Sequence, residues 1–306
     1  MNASNSAGPS RRIKNLDVLR GVAILLVLGE HKYASDIWLR IGWTGVDLFF
    51  VLSGFLISGL LFSEFKTHGT IRVRRFLIRR GFKIYPGYYI LMLYYIVRDL
   101  RGGIRPSTQT LLSLVFLQNY GPGPVNYTWS LAVEEHFYLV LPLVLSVMIA
   151  LASRAKSIGL VLSASDDRPP HALSSLPKVI AFGCGLVLAS RCLTTLLVPY
   201  DNRTHHFPTH LRIDSLMFGV VIGYFYNFHY DSLRMVVQRR RNGIFIAGCV
   251  LLSSCVWLER TSPAMFTIGL TALYAGYGCI LALALLALPT ASDASPPRAP
   301  IKLIAK

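Results

Sequence analysis

Apolar runs of roughly 15 to 25 residues recur along the whole chain, parted by short polar and basic stretches. A helix rises 1.5 Å per residue, so about 20 apolar residues cross a hydrocarbon layer, fewer where flanking side chains reach back to the interface. On that measure the pattern predicts eight spanning helices, at residues 15–31, 43–62, 84–97, 129–152, 179–198, 213–228, 244–258 and 264–288. A further apolar stretch, 110–118, reaches only about 14 Å as a helix. The expected architecture is therefore all-α: a polytopic helical membrane bundle of about eight spans plus one short re-entrant or interfacial helix. The membrane domain is expected over 15–288, between a basic N-terminal segment, 1–14, and a tail, 289–306, marked by Pro296, Pro297 and Pro300.

Composition narrows the class. Of 306 residues, 53% are apolar or aromatic and 15% charged, where soluble domains carry about 25% charge. Mean hydropathy is +0.49, and no stretch is left for a water-soluble core. The net charge of +16 would in a soluble protein point to nucleic acid, but the cations lie between the apolar runs, so the lipid bilayer and not nucleic acid is the expected partner. With the N-terminus inside and 110–118 not crossing, about two thirds of the Lys and Arg residues share the cytoplasmic side. This predicts a multi-pass protein of the cytoplasmic (inner) membrane. Asp17 and Arg20 interrupt the first apolar run and no small-residue cleavage site follows, so it reads as an uncleaved helix. Residues 163–175 are polar and Pro-containing, a cytoplasmic loop. The five cysteines lack CxxC spacing and read as buried free thiols. His205, His206 and His210 lie in a polar stretch without the acid-and-His helix pattern of a zinc site, so they read as loop residues and no metal is expected.

Charge inside a span costs about 2.5 to 3.5 kcal/mol on insertion scales, so each such residue needs a partner or a role. Arg20 and His31 share one face of the first helix, about 16 Å apart along its axis, an arrangement suited to a long, anionic-headed substrate. The plainer alternative pairs Arg20 with Asp17 at i, i+3 and leaves His31 at the interface. Asp47 is the one carboxylate at the outer end of the second predicted helix, whose Ser53, Gly54, Ser58 and Gly59 permit close helix contact. Between Lys66 and Lys83 a loop carries Arg72, Arg74, Arg75, Arg79 and Arg80, more cations than topology needs. They read either as contacts to anionic lipid headgroups or as forks for a phosphorylated cytosolic donor. Glu134 and Glu135 enter the fourth predicted helix beside Trp129, as dipole partners or as the wall of a polar pocket. Arg212 and Asp214 stand at an outer rim ahead of a Gly219/Gly223 contact face. Arg191 has Asp214 or Glu134 as candidate partners.

These residues fall into five motifs: Leu16-Asp-Val-Leu-Arg-Gly-Val-Ala23 with His31, Gly45-Val-Asp-Leu-Phe-Phe-Val-Leu-Ser-Gly-Phe-Leu-Ile57, Arg79-Arg-x-x-Lys-Ile-Tyr-Pro86, Trp129-Ser-Leu-Ala-Val-Glu-Glu135 and Arg212-Ile-Asp-Ser-Leu216. In this order they resemble acyltransferase family 3, the integral-membrane O-acyltransferases. The resemblance implies transfer of an acyl group, usually acetyl, to a hydroxyl of a cell-envelope glycan or a glycosylated small molecule. Cytosolic acyl-coenzyme A would be the co-substrate, with no bound cofactor. It also implies that Arg20 and His31 form the family's Arg-x10-His pair. The donor-linked Arg-x-x-Arg motif falls on Arg80 to Lys83, where Lys replaces a guanidinium fork by a point charge; a literal Arg-x-x-Arg runs from Arg72 to Arg75. His136 stands where Gln is expected. The family continues beyond the last predicted helix into a Ser-Tyr and His-bearing segment, so a truncated, inactive member is one alternative.

Joined to that resemblance, His31 reads as the general base on the acceptor hydroxyl, oriented by Glu134 or Asp47. Arg20, Arg72, Arg75, Arg79, Arg80 and Lys83 read as the donor-binding set, and Trp129, Glu135, Arg212 and Asp214 as the acceptor pocket. Direct transfer and an acyl-histidine both fit. The rival from another class is a transporter whose buried charges form a proton or solute path, a class that usually shows paired repeat halves, and none is visible.

Overall fold

Each predicted apolar segment forms helix in the computed structural model, which describes residues 14–32, 36–105, 107–121, 126–157 and 171–286 and holds no strand among them. Residues 1–13, most of the expected 163–175 loop and the 289–306 tail lie outside the described residues. In chain order the helices are α1 (Lys14–Lys32), α2 (Asp36–Ile41), α3 (Gly45–His68), α4 (Val73–Arg101), α5 (Thr108–Leu114), α6 (Trp129–Ser157) and α7 (Leu176–Leu197). There follow α8 (Asn202–His205), α9 (Ile213–Phe228), α10 (Tyr230–Arg239), α11 (Arg241–Leu252), α12 (Ser254–Trp257) and α13 (Leu270–Leu286). Among the described residues, four stretches are long and apolar enough to cross a membrane: Asp36–His68, Trp129–Ala155, Leu176–Leu197 and Met265–Leu286. The other four predicted spans are helical but fall short, α1 and α4 because charges interrupt them, α9 and the α11–α12 pair because they are short.

The differences from expectation have local causes. The predicted 84–97 segment is only the uncharged part of α4, whose 29 residues extend about 44 Å. Most of the expected basic loop is therefore helix: α3 ends at Gly69, left-handed at φ 68° with its N–H on the Phe65 carbonyl, and α4 starts at Val73. Arg is a good helix former, so cations end an apolar pattern without ending a helix. The 110–118 stretch yields only α5, seven residues capped by Ser107, before Phe116 turns into the left-handed region at φ 60°. Expected segment 244–258 breaks at Ser253, and the amphipathic α10 precedes it unforeseen. The cysteines are free, but Cys192 and Cys249 are exposed and the others half-buried. Cys184 and Cys255 pack against the core, Cys279 lies against Gly248 of α11, and Cys192 and Cys249 face outward.

At the centre, α3 carries apolar residues on all its faces and is buried along most of its length. Its Phe50, Ile57 and Leu61 pack against Val133, Phe137, Tyr138 and Leu141 of α6. Leu48, Val51, Leu52 and Phe55 meet Leu16 and Ala23 of α1 and Tyr274, Tyr277 and Leu281 of α13. The closest approach is to α9. A methyl group on Gly54 would strike the Leu216 carbonyl, one on Gly219 the Val51 carbonyl, and one on Gly223 the Ser58 hydroxyl. Gly59, in the same small-residue stripe, has only Asn227 Nδ2 at 3.9 Å. Lipid tails give helices no hydrophobic drive to associate, so backbone approach of this kind does much of the joining.

Gly54→Ala and Gly219→Ala should each destabilise the protein by about 1–3 kcal/mol, since backbone atoms cannot give way as side chains do. Gly59→Ala should be neutral. Thermal unfolding of the purified protein in detergent separates the two outcomes.

Candidate active site

Two polar networks lie inside the bundle, both anchored on α3. Six residues apart on that helix, Asp47 and Ser53 point about 120° away from each other, the first toward α9 and the second toward α6. Asp47 Oδ1 accepts from Arg212 Nη2 at 2.9 Å and from Ser215 Oγ at 3.2 Å. Beside this pair, Arg191 Nη2 donates to both Asp214 oxygens at 2.5 and 2.6 Å, its Nε to the Leu211 carbonyl at 2.7 Å and its Nη1 to Thr271 Oγ1 at 3.2 Å. The partner of Arg191 is thus Asp214 and not Glu134. All four charged side chains are buried. A buried pair offsets its desolvation only when the remaining donors and lone pairs are also met. Arg191 meets that condition; Arg212 Nε and Nη1 and Asp47 Oδ2 find no hydrogen-bond partner. The Arg212 guanidinium instead lies 5.6 Å from the Trp129 ring and 6.0 Å from the Phe50 ring.

The second network starts at Ser53, eight residues or about 12 Å inside the Gly45 end of α3. Ser53 Oγ donates to Glu134 Oε1 at 2.5 Å and lies 3.3 Å from the Tyr138 hydroxyl. Arg80 reaches in from α4, donates to that hydroxyl at 2.5 Å and lays its guanidinium 4.3 Å over the Tyr138 ring. Tyr85 donates to Glu135 Oε2 at 3.3 Å. The next residue back, Arg79, points the other way. With Arg72, Arg74, Arg75, Val73 and Ile78 it lines an open depression of about 530 Å³. The expected donor set is therefore divided. Arg72, Arg75 and Arg79 share this depression with Arg74, Arg80 is inside the bundle, Lys83 is exposed outside both groups, and Arg20 sits on α1, 3.5 Å from Asp17.

His31 is exposed near the end of α1, its Nδ1 2.8 Å from the Val27 carbonyl. A carbonyl only accepts, so Nδ1 carries the proton of the neutral ring and Nε2 keeps its lone pair free. The ring meets Tyr127 edge-on at 4.9 Å. Neither expected carboxylate orients it: Glu134 is engaged by Ser53 and Asp47 by Arg212 and Ser215. Spacing gave no sign of this, because the partner is the backbone one turn earlier in the same helix. Glu30, one residue before, pairs with Arg260 at 2.7 Å.

The histidines after α7 are not all loop residues. His205 and His206 are buried, and the His206 ring lies edge-on to Trp43 at 6.0 Å and to Phe266 at 5.7 Å. Burial, and then the Arg212 and Arg260 charges, hold His206 well below the ordinary histidine value; burial lowers His205 and His210 as well. His136 Nδ1 lies 2.6 Å from Thr209 Oγ1, which also accepts from Asn119 Nδ2 at 2.7 Å. Sequence reasoning missed this latch between the 107–121 segment and the chain before α9, because amide and hydroxyl residues in a short polar stretch carry no pattern. Among the described residues no group of three or more His, Cys, Asp or Glu side chains could hold a metal ion.

A histidine held neutral in the fold but free to protonate when unfolded binds fewer protons in the folded state. Its contribution is then present above about pH 6.5 and lost as pH falls below that value. The melting temperature in detergent should accordingly fall between pH 7.5 and pH 5.5. His206→Phe, which keeps an aromatic ring in the same cage, should flatten that fall; an unchanged slope would assign it to other groups.

The acyltransferase-domain family matches residues 13–306 of this chain. The chain is 28% identical over 258 residues to the peptidoglycan O-acetyltransferase OatA of Listeria monocytogenes, across 78% of this chain and 38% of that protein. It is 26% identical over 287 residues to the putative peptidoglycan O-acetyltransferase YrhL of Bacillus subtilis, across 85% and 41%. To a putative O-acetyltransferase of Staphylococcus aureus it is 25% identical over 231 residues, across 70% and 35%. The chain thus spans about two fifths of the length of these relatives. No solved structure matches it. The family match takes in every helix described above, and with it the motifs that build both buried networks: the chain belongs to acyltransferase family 3.

Proposed function

We propose that this chain is the membrane acyl-transfer unit of an O-acetyltransferase. It would move acetyl from cytosolic acetyl-coenzyme A to a hydroxyl of a cell-envelope glycan, with peptidoglycan the first candidate because two relatives bear that name. The observation that carries the reading is the state of His31: exposed, Nδ1–H tied to the Val27 carbonyl, and Nε2 free to accept a proton. In the proposed step Nε2 takes the proton of the acceptor hydroxyl as its oxygen attacks the thioester carbonyl. The tetrahedral intermediate then collapses, the C–S bond breaks, and the departing thiolate recovers the proton from the imidazolium. No acyl-histidine is required.

The depression lined by Arg72, Arg74, Arg75 and Arg79 supplies guanidinium forks for the phosphates of coenzyme A. Arg80, the next residue, leads inward to Tyr138, Ser53 and Glu134. The anionic head would stay at the surface while the acyl arm enters between α3, α4 and α6. In this reading the eight longer helical units all cross the cytoplasmic membrane, with the N-terminus inside. The arginine depression then faces the cytosol and His31 the opposite side. Arg20, half exposed and only loosely held by Asp17 at 3.5 Å, keeps donors for an anionic group on the same helix as His31.

His31→Ala should lower transfer from acetyl-coenzyme A to peptidoglycan fragments by about 100-fold or more, the usual weight of a general base, with no change in melting temperature. Retention of more than a tenth of the activity in folded protein would remove His31 from the chemistry. Changing Arg72, Arg75 and Arg79 together to Gln should weaken coenzyme A binding and abolish its salt dependence, since exposed phosphate contacts are screened within about 8 Å at physiological salt. Dephospho-coenzyme A should lose less. Unchanged affinity in a thermal-shift titration would return these arginines to lipid headgroups.

A further inference from the structure

The residues expected to line an acceptor pocket are mostly withdrawn from solvent. Glu135 is 6% exposed, Arg212 1% and Asp214 0%, and Trp129 is half-buried, stacked on Phe207 at 5.1 Å. A polar glycan reaches Arg212 and Asp214 only by dismantling the ion pairs that join α3, α7 and α9. Two tyrosine rings are exposed instead, Tyr127 against His31 at 69% exposure and Tyr120, on the turn tied to it through Gln118, at 51%.

Both rings stand on a fixed support. They belong to the single turns Gln118–Tyr120 and Asn126–Thr128, which are tied by Gln118 Nε2 donating to the Thr128 carbonyl at 3.1 Å and to its hydroxyl at 3.3 Å. Asn119 is buried and anchors the first turn to Thr209 Oγ1 at 2.7 Å and to the Phe207 carbonyl at 3.2 Å. The Tyr120 ring is stacked on His210, 5.8 Å away with an interplanar angle of 11°, and Tyr127 sits against His31 at 4.9 Å. A pyranose has a C–H face that lies flat on an aromatic ring and a hydroxyl rim that turns toward polar neighbours. Rings already held in place cost less to use than rings that must be ordered on binding.

We propose that Tyr120 and Tyr127 form the acceptor subsite: a stacking platform for the pyranose rings of a glycan, with Tyr127 presenting a sugar hydroxyl to His31 Nε2. The role given to His31 rests on the acyl-transfer reading; the sugar-binding role of the rings does not. Exposed tyrosines at the end of a membrane bundle also serve as interfacial anchors. That role needs an amphipathic side chain rather than a flat face held at one angle.

The test is saturation-transfer NMR of the full chain in nanodiscs with the N-acetylglucosamine tetramer, so that binding is read without any transfer step. The pyranose ring protons should receive saturation from the wild type. Binding should weaken about fivefold in Tyr120→Leu and in Tyr127→Leu, which keep apolar bulk but lose the flat face, and stay within about twofold in the two Phe variants. The readout is sugar binding alone, with no acetyl donor present, so failure of the catalytic reading of His31 leaves the platform standing. Absence of saturation in the wild type would overturn the proposal. So would Leu variants that bind the sugar normally, whether or not their melting temperature falls as it would for interfacial anchors.

Discussion

The distance between α3 and α9 governs this bundle. Gly54 and Gly219 let the two backbones meet, and a single methyl group at either would meet a carbonyl oxygen of the opposite helix. That approach is what allows a short helix, α9, to carry Asp214 and Ser215 into the interior with Arg212 at its start, opposite Asp47 and Arg191. Were the helices a side chain further apart, Asp47 and Arg212 would both be buried charges without a partner, which costs far more than a lost contact. The small residues and the ion pairs therefore constrain each other: the glycines set the spacing, and the charges penalise any other.

Around that seam α3 divides the work by helical face. One face holds Asp47 toward α9, in a region of closed ion pairs and aromatic rings. Another holds Ser53 toward α6, where Glu134, Tyr138 and Arg80 form a chain that runs from the interior toward the arginine depression on α4. The first network is sealed, and its unpartnered Arg212 nitrogens are covered by Trp129 and Phe50 rather than by solvent. The second has a way out. Consecutive residues decide this, Arg79 turning to the surface and Arg80 inward, so one turn of helix links the arginine depression to a buried hydroxyl and carboxylate.

The helices were legible in the sequence because hydropathy reports burial from water directly, whether by protein or by lipid. Where charge and helix coincide the signal fails, which is why α4 runs eleven residues earlier than its apolar core and the loop of cations is a helix. The small-residue stripe was legible as a type of contact but not position by position: Gly54 needs its missing side chain and Gly59 does not. Side-chain partners were legible only within one helix, as for Asp17 and Arg20. Across helices they depend on rotation and depth, so Arg191 kept two candidates until α7 and α9 were placed. His31 illustrates the same limit from the other side, since its partner is a backbone carbonyl that every helical residue has four positions behind it and that no spacing can single out.

The part of the molecule that hydropathy describes worst is the set of turns beside His31. Residues 107–121 and 126–128 form short turns of amide, hydroxyl and aromatic side chains, too brief for a period and too polar for a span. Their order comes from point contacts: Gln118 to Thr128, Asn119 to Thr209, His136 to Thr209. Such contacts fix a surface without filling a core, and that surface holds the Tyr127 ring against His31. The departure from the family pattern at His136 belongs to this set. An imidazole there fastens the start of α6 to the chain before α9, and so ties the placement of Tyr120 to the same helix that carries Glu134 and Glu135.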